Sequence, residues 1–206
     1  MDVPEAHSSF KRYKDLLEDK DSSDVILSLT DSQGTTKDLY GHQVILSASS
    51  PVLQDRLKNM KVNKKTKKRI RIRDTDYDTF KVLLVYIYCD RLQVDVSQVR
   101  SVLDAALKFK MNGMMEALKD ACLLRFQANC LNQMIEFSVA NHDHDLMVWC
   151  LKALDMRGSL YLKQQGIKDL SSFSVKGIIS RDTLAANEVD VFEACYVWAG
   201  HKLERK

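Results

Sequence analysis

Residues 24 to 53 constrain the fold more than any other stretch. Asp24-Val-Ile-Leu-Ser-Leu-Thr30 is rich in β-branched and large apolar residues, and Asp31-Ser-Gln-Gly-Thr-Thr-Lys37 supplies the Gly and polar residues of a turn. Together they predict a strand and a hairpin. Lys37-Asp-Leu-Tyr40 returns as a second strand, and the run His42 to Ser49 puts Val44, Ile45 and Ala48 on one helical face. Ser50-Pro51 then opens another helix, with Ser50 as cap and Pro51 at the first helical position, where its missing N–H costs nothing. A small sheet near the amino end follows.

Before this stretch, Phe10, Tyr13, Leu16 and Leu17 fall at helical spacing among charged residues, which predicts an amphipathic helix over 8–18. After it, Lys68-Arg-Ile-Arg-Ile-Arg-Asp74 alternates with period two, so Ile70 and Ile72 share the buried face of a strand. An apolar helix over 77–89 reads as a core element, and Leu92 to Val94 as a short strand. Further helices are expected from Val96, with Val99, Val102, Leu103, Ala106 and Leu107 on its apolar face and a break near Asn112-Gly113, and from Met114 to about Gln127. Beyond Asn129 only helical spacing is found: Leu131 to Val139, Leu146 to Met156, Ser172 to Ile179 and Asp190 to Lys206, the last capped by Asn187.

The 206 residues, 45% hydrophobic with only two prolines, support one large or two small domains and no long disordered linker. The longest apolar run, Val82 to Cys89, is far short of a membrane span, and the first 19 residues lack the apolar core of a secretory signal. A cytoplasmic or nuclear protein without membrane contact is expected. The five cysteines (Cys89, Cys122, Cys130, Cys150, Cys195) are odd in number and lie in apolar helical surroundings, as reduced core residues do. Of the 31 basic residues nine fall between Lys58 and Arg73 with no acidic residue among them, leaving 22 basic against 28 acidic elsewhere. One segment therefore makes the chain basic.

No recognisable enzyme chemistry is present. The seven glycines form no phosphate-cradling cluster, and neither a G-x-S-x-G elbow nor an H-E-x-x-H pair occurs. His142-Asp-His144 with Cys130 and Cys150 matches no zinc spacing and reads better as a solvated helix junction. His42 and His201 read as structural. No cofactor and no metal is expected, and the question becomes which surface binds what.

Ser23-Asp24-Val25, the hairpin, and Gly41 to Pro51 resemble the BTB/POZ domain, and the likeness continues through Ile70 to Asp74, Phe80 and Tyr86-Ile-Tyr88. Gln43 stands where that family usually has a basic residue, and Leu53 where it usually has Phe. Val175 to Trp198 resembles the BACK domain that follows BTB in many proteins, most similar in spacing to the group with a C-terminal β-sandwich tail. The resemblance implies an α+β BTB/POZ fold over 8–128, a small sheet flanked by helices, followed by a partial, all-helical BACK region over 129–206. No kelch repeat, zinc finger or tail module follows.

The same resemblance implies a homodimer. Phe10, Tyr13 and Leu17 would bury across the twofold, and Asp24 would stand as the dimer-floor acid, its usual pairing with a basic residue lost because Gln43 stands at that position. It also implies a substrate adaptor for a cullin-RING ubiquitin ligase, with Met60, Val62 and Lys64 at the cullin-contact positions, Lys64 replacing the usual Glu, and an unknown substrate protein held elsewhere. One alternative is a scaffold that recruits transcriptional or cytoskeletal partners without a cullin. The other uses the basic patch (Lys61, Lys64, Lys65, Lys67, Lys68, Arg69) to meet nucleic acid or an acidic partner; no aromatic is interleaved with those charges, which weighs against nucleic acid.

Overall fold

A computed structural model describes residues 13, 15–17, 19–60 and 67–204. The chain divides into two compact units, 1–118 and 119–206. The first holds a three-stranded sheet in the order β2-β1-β3, built from β1 (Val25–Thr30), β2 (Thr36–Gly41) and β3 (Lys68–Arg71). β1 pairs antiparallel with β2 and parallel with β3. Two short helices, α1 (Gln43–Ser49) and α2 (Pro51–Lys58), lie in the connection that a parallel pair requires.

Alternation sets the faces of β1. Val25, Leu27 and Leu29 are buried, whereas Ser28 meets Asp38 on the other face. The hairpin turns where Asp31 accepts hydrogen bonds from the amides of Gln33 and Thr35 (2.9 and 2.8 Å) and Gly34 takes φ +80°. Gly41 ends β2 because the chain passes close to α1: a Cβ there would lie 3.0 Å from Leu46 Cδ1.

Three more helices and one 3₁₀ turn belong to this half or lead out of it. α3 (Tyr77–Cys89) is capped by Asp76, whose carboxylate accepts from the Thr79 amide at 2.8 Å, and ends at Asp90 in the left-handed region. A 3₁₀ turn (Val96–Gln98) precedes α4 (Val99–Lys108), and α5 (Asn112–Arg125) runs on from there. Leu53, Leu57, Phe80, Leu83, Tyr88 and Phe109 are fully buried, with the Phe80 and Phe109 rings edge to face at 5.4 Å.

Several expectations are corrected here. Val44 and Ala48 do share a helical face, but it is the exposed one, and Leu46 is the α1 residue that enters the core. Leu107 is half exposed. Leu92 to Val94 alternates in burial yet pairs with no strand among the described residues, so it stays irregular. The α4–α5 break falls at Phe109 to Met111, with Lys110 at φ 54° and the Met111 amide bonded to Ala106 O at 2.8 Å. Asn112 and Gly113 instead begin α5.

The second unit is helical: α6 (Ala128–Asn141), α7 (His144–Lys163), α8 (Ser172–Ile179) and α9 (Glu188–Glu204), after the end of α5. His142, with φ 54°, closes α6, and Asp143 caps α7 by accepting from the Leu146 amide. The junction role expected of His142 to His144 is thus filled. α7 runs on to Lys163, about two turns beyond the expected Met156, bending at Arg157, and the Ser159 amide bonds Ala185 O at 2.8 Å. Gly158 allows that approach, since a Cβ there would lie 2.9 Å from Ala185 O. Gln127, the α6 cap residue, offers no side-chain bond, and Gln164 Oε1 accepts from the Ala128 amide instead. Asn187 Oδ1 accepts from the Asp190 amide at 2.7 Å, the expected cap of α9.

Candidate protein-interaction surface

Of the expected interface residues, Asp24 and Gln43 meet at the start of α1. Asp24 precedes β1, and its carboxylate accepts from the Gln43 amide at 2.7 Å. The two positions do meet, but through the backbone: Asp24 serves as a cap that the His42 side chain does not provide. A basic side chain at position 43 is not needed for that contact, which accounts for the tolerance of Gln43.

Next to it, His42 is locked by three contacts to two partners. Its amide donates to Tyr88 Oη at 2.8 Å, its Nδ1 lies 2.8 Å from the same oxygen, and its Nε2 lies 3.0 Å from Ser22 Oγ. Ser22 donates to Asp19 at 2.5 Å. The Ser22 proton being committed to Asp19, Nε2 must carry the imidazole proton and Nδ1 must accept from Tyr88. Burial is the main cause that pushes the Tyr88 hydroxyl up to about 12, with the Asp24 charge adding to it. His42 is therefore structural, as its position at the head of a helix implied.

Exposed apolar side chains flank this locked corner. Val44 is 79% exposed, and Ala48 lies exposed one turn along the same face. Tyr13 is helical and 46% exposed, over a groove of about 370 Å³ lined by Ser49, Tyr86, Asp90, Met111 and Gly113. Leu17 is half-buried. Phe10 lies outside the described residues, as does most of the leading helix over 8–18.

Met60, half-buried, is the last described residue after α2. Val62 and Lys64 lie outside the described residues, with Lys61 and Lys65. The basic residues that are described serve the fold. Lys67 Nζ donates to Lys20 O and to Ser23 Oγ, and sits 5.8 Å from the Tyr40 ring centroid. Lys68 donates to Leu57 O at 2.9 Å, and Arg69 grips both oxygens of Asp38 at 2.9 Å and bonds Ser28 Oγ. Asp38 is held below the usual carboxylate range by the Ser28 hydrogen bond and by Arg69. This Arg69–Ser28–Asp38 stripe crosses all three strands and was missed in the sequence, although alternation in β1 and β3 places its members on one face.

Among the described residues, no helix is long and apolar enough to cross a membrane. The five cysteines are free thiols, three of them buried.

The sequence profile of the BTB/POZ domain matches residues 13–124, and that of BACK (BTB And C-terminal Kelch) matches 130–206. The chain is similar to human BTB/POZ domain-containing protein 3, 30% identical over 183 residues, covering 84% of this chain and 33% of that protein. It is similar also to BTB/POZ domain-containing protein 6 of Xenopus laevis, 26% identical over 173 residues, covering 84% and 32%. The chain thus spans about a third of the length of the curated relatives it matches. Among solved structures, the BTB domain of zebrafish PATZ1 is similar at 18% identity and a TM-score of 0.41, covering 54% of this chain and 81% of that one. With a sheet-and-helix first unit, a helical second unit, the two profile matches and the 30% identical relative, the chain belongs to the BTB/POZ family, as a protein-interaction module with a BACK segment behind it.

Proposed function

We propose that the chain is a homodimerising substrate adaptor for a cullin-RING ubiquitin ligase, working in the cytoplasm or nucleus. The observation that carries the dimer is Val44, a large apolar side chain 79% exposed beside the Asp24–Gln43 contact. In an isologous contact each copy offers the same patch, so Val44 and Ala48, with Phe10, Tyr13 and Leu17 from the leading segment, would be covered twice by one surface. Light scattering at micromolar concentration tests it. Wild type is expected as a dimer and Val44→Asp as a folded monomer; a wild-type monomer overturns the reading.

In the adaptor, Met60, Val62 and Lys64 face the cullin, the apolar pair supplying the anchor. We place the BTB domain over 8–128 and the BACK region over 129–206, the boundary falling where Gln127 takes an extended conformation before α6. Within the BTB-BACK proteins, the spacing of Val175 to Trp198 favours the group with a β-sandwich tail, and the substrate is then selected by a module other than these two. Lys64, where the family's cullin contact carries Glu, favours a second reading: a scaffold for other partners. A pull-down with a purified cullin amino-terminal region separates them. Capture that Lys64→Glu strengthens and Val62→Asp removes supports the adaptor; no capture by either wild type or Lys64→Glu leaves the scaffold. Nucleic-acid binding has less support, because Lys67, Lys68 and Arg69 are engaged within the fold.

A further inference from the structure

The two faces of α9 differ in what covers them. One packs within the second unit: Ala194 is buried, and the Trp198 indole donates to Leu170 O at 3.1 Å. The other carries Val189, Phe192, Tyr196 and Leu203, which are 64%, 71%, 76% and 73% exposed. With exposed Ala199 they recur at spacings of three and four residues, the seam pattern by which one helix packs along another. Single exposed apolar side chains are ordinary, but a continuous stripe with two aromatics in it is a contact surface.

The stripe is complementary to itself. Tyr196 stands midway between Val189 and Leu203, one heptad from each. When a second α9 is laid antiparallel about a twofold axis at Tyr196, Val189 meets Leu203 of the other copy, and Phe192 meets Gly200 with Ala199 beside it. The large ring thus faces the two small residues. A Cβ on Gly200 would have nothing within 4 Å, so the ring enters space that no described side chain fills. The charges agree with this direction. α9 begins with Glu188 and Asp190 and ends with His201 and Lys202. Glu188 and Lys202 lie two heptads apart along one edge of the stripe, so each Glu188 faces Lys202 of the other copy, twice by symmetry. Glu193 and Glu204, both exposed, border the other edge and stay in solvent. A parallel pair would instead set Phe192 against Phe192 and stack like helix ends.

We propose that α9 is a second self-association surface, whose occupant is α9 of another copy of this chain in antiparallel register. Phe192 and Tyr196, at roughly 150–250 Å² per aromatic side chain, supply about half of the ~1,000 Å² that a specific contact needs over two copies. Val189, Leu203 and their neighbours supply the rest. So small a contact forms well above micromolar concentration. It is separate from the Val44 contact and does not rest on it.

Sedimentation of the full chain carrying Val44→Asp, from about 5 to about 500 micromolar, tests the pairing. The mass is expected to double towards the upper end, and adding Phe192→Asp, on an exposed side chain, to abolish the increase. Charge exchange tests the direction. Glu188→Lys alone and Lys202→Glu alone each set like charges against each other and should pair roughly ten-fold more weakly, whereas an equimolar mixture of the two restores both ion pairs and associates as the parent does. A mass that does not rise with concentration, a rise that Phe192→Asp leaves intact, or a mixture no tighter than either variant alone overturns the proposal. The wild-type mass at low concentration reports the α1 contact and the rise at high concentration the α9 contact, so the two readings fail separately.

Discussion

At the scale of single residues, two buried hydroxyls hold the first unit in register. Tyr88 Oη accepts from the His42 amide and donates to its ring, so Tyr88→Phe strands both groups and should lower stability by about 1–3 kcal/mol, read from the urea midpoint. Its pH behaviour has a definite sign. The unfolded chain releases the Tyr88 proton near 10.0 and the folded chain near about 12. Between these values the unfolded state binds fewer protons, so the contribution is complete below pH 10 and falls away as pH rises through the folded value. Circular dichroism from pH 9 to 12 should show this loss in wild type and a shallower one in Tyr88→Phe. Ser50 is the second hydroxyl: it donates to Phe109 O at 2.6 Å while accepting from the Leu53 amide at 3.2 Å. Ser50→Ala removes a cap and orphans a buried carbonyl, and about 2–3 kcal/mol should be lost in the same measurement.

Elements are shaped by close approaches that residue patterns hide. Gly158→Ala sets a Cβ 2.9 Å from Ala185 O, a backbone atom that cannot swing aside, whereas Gly177 on α8 has nothing within 4 Å. Thermal melts should therefore move in opposite directions: down by about 1–3 kcal/mol for Gly158→Ala, and up by about 0.5–1 kcal/mol for Gly177→Ala. The strands, the hairpin and the capped starts of α2 and α9 were legible because each rests on local chemistry: alternation, Gly34, Ser50-Pro51, Asn187. What was not legible depends on distant neighbours. The helical face of Val44 and Ala48 was visible, but whether it turned inward was not, since that depends on Leu46 packing under Gly41 beside the Tyr88 hydroxyl. Gly113 looked like a helix break and is a helix residue with the Tyr86 hydroxyl against it, while Lys110, with no turn signature, takes the left-handed conformation. The extension of α7 past Met156 depends on Ala185, nearly thirty residues away. At the candidate surface, family likeness paired positions 24 and 43 and took the pairing as lost with Gln43; the backbone bond by which they meet was not legible.

For the whole molecule, the acidic response concentrates in one stretch. Asp19 is lowered chiefly by the Ser22 hydrogen bond, Asp31 by Lys37, and Asp38 by Ser28. Depressed carboxylates support the fold above their ordinary 3.8 and withdraw that support as pH falls through their lower folded values. Amide protection in β1 and β2 should therefore fall below about pH 4, less steeply in Arg69→Met, which has already lost part of what depresses Asp38, and added salt should blunt the difference. Tryptophan fluorescence is blind to this, because Trp149 and Trp198 both lie in the second unit. One of the two edge strands, β3, is only four residues long and spelled Lys-Arg-Ile-Arg. Each added copy that tried to lengthen the sheet along that margin would meet its own repeated positive charge. A protein gathered at high local density can thus be crowded without being templated into fibrils.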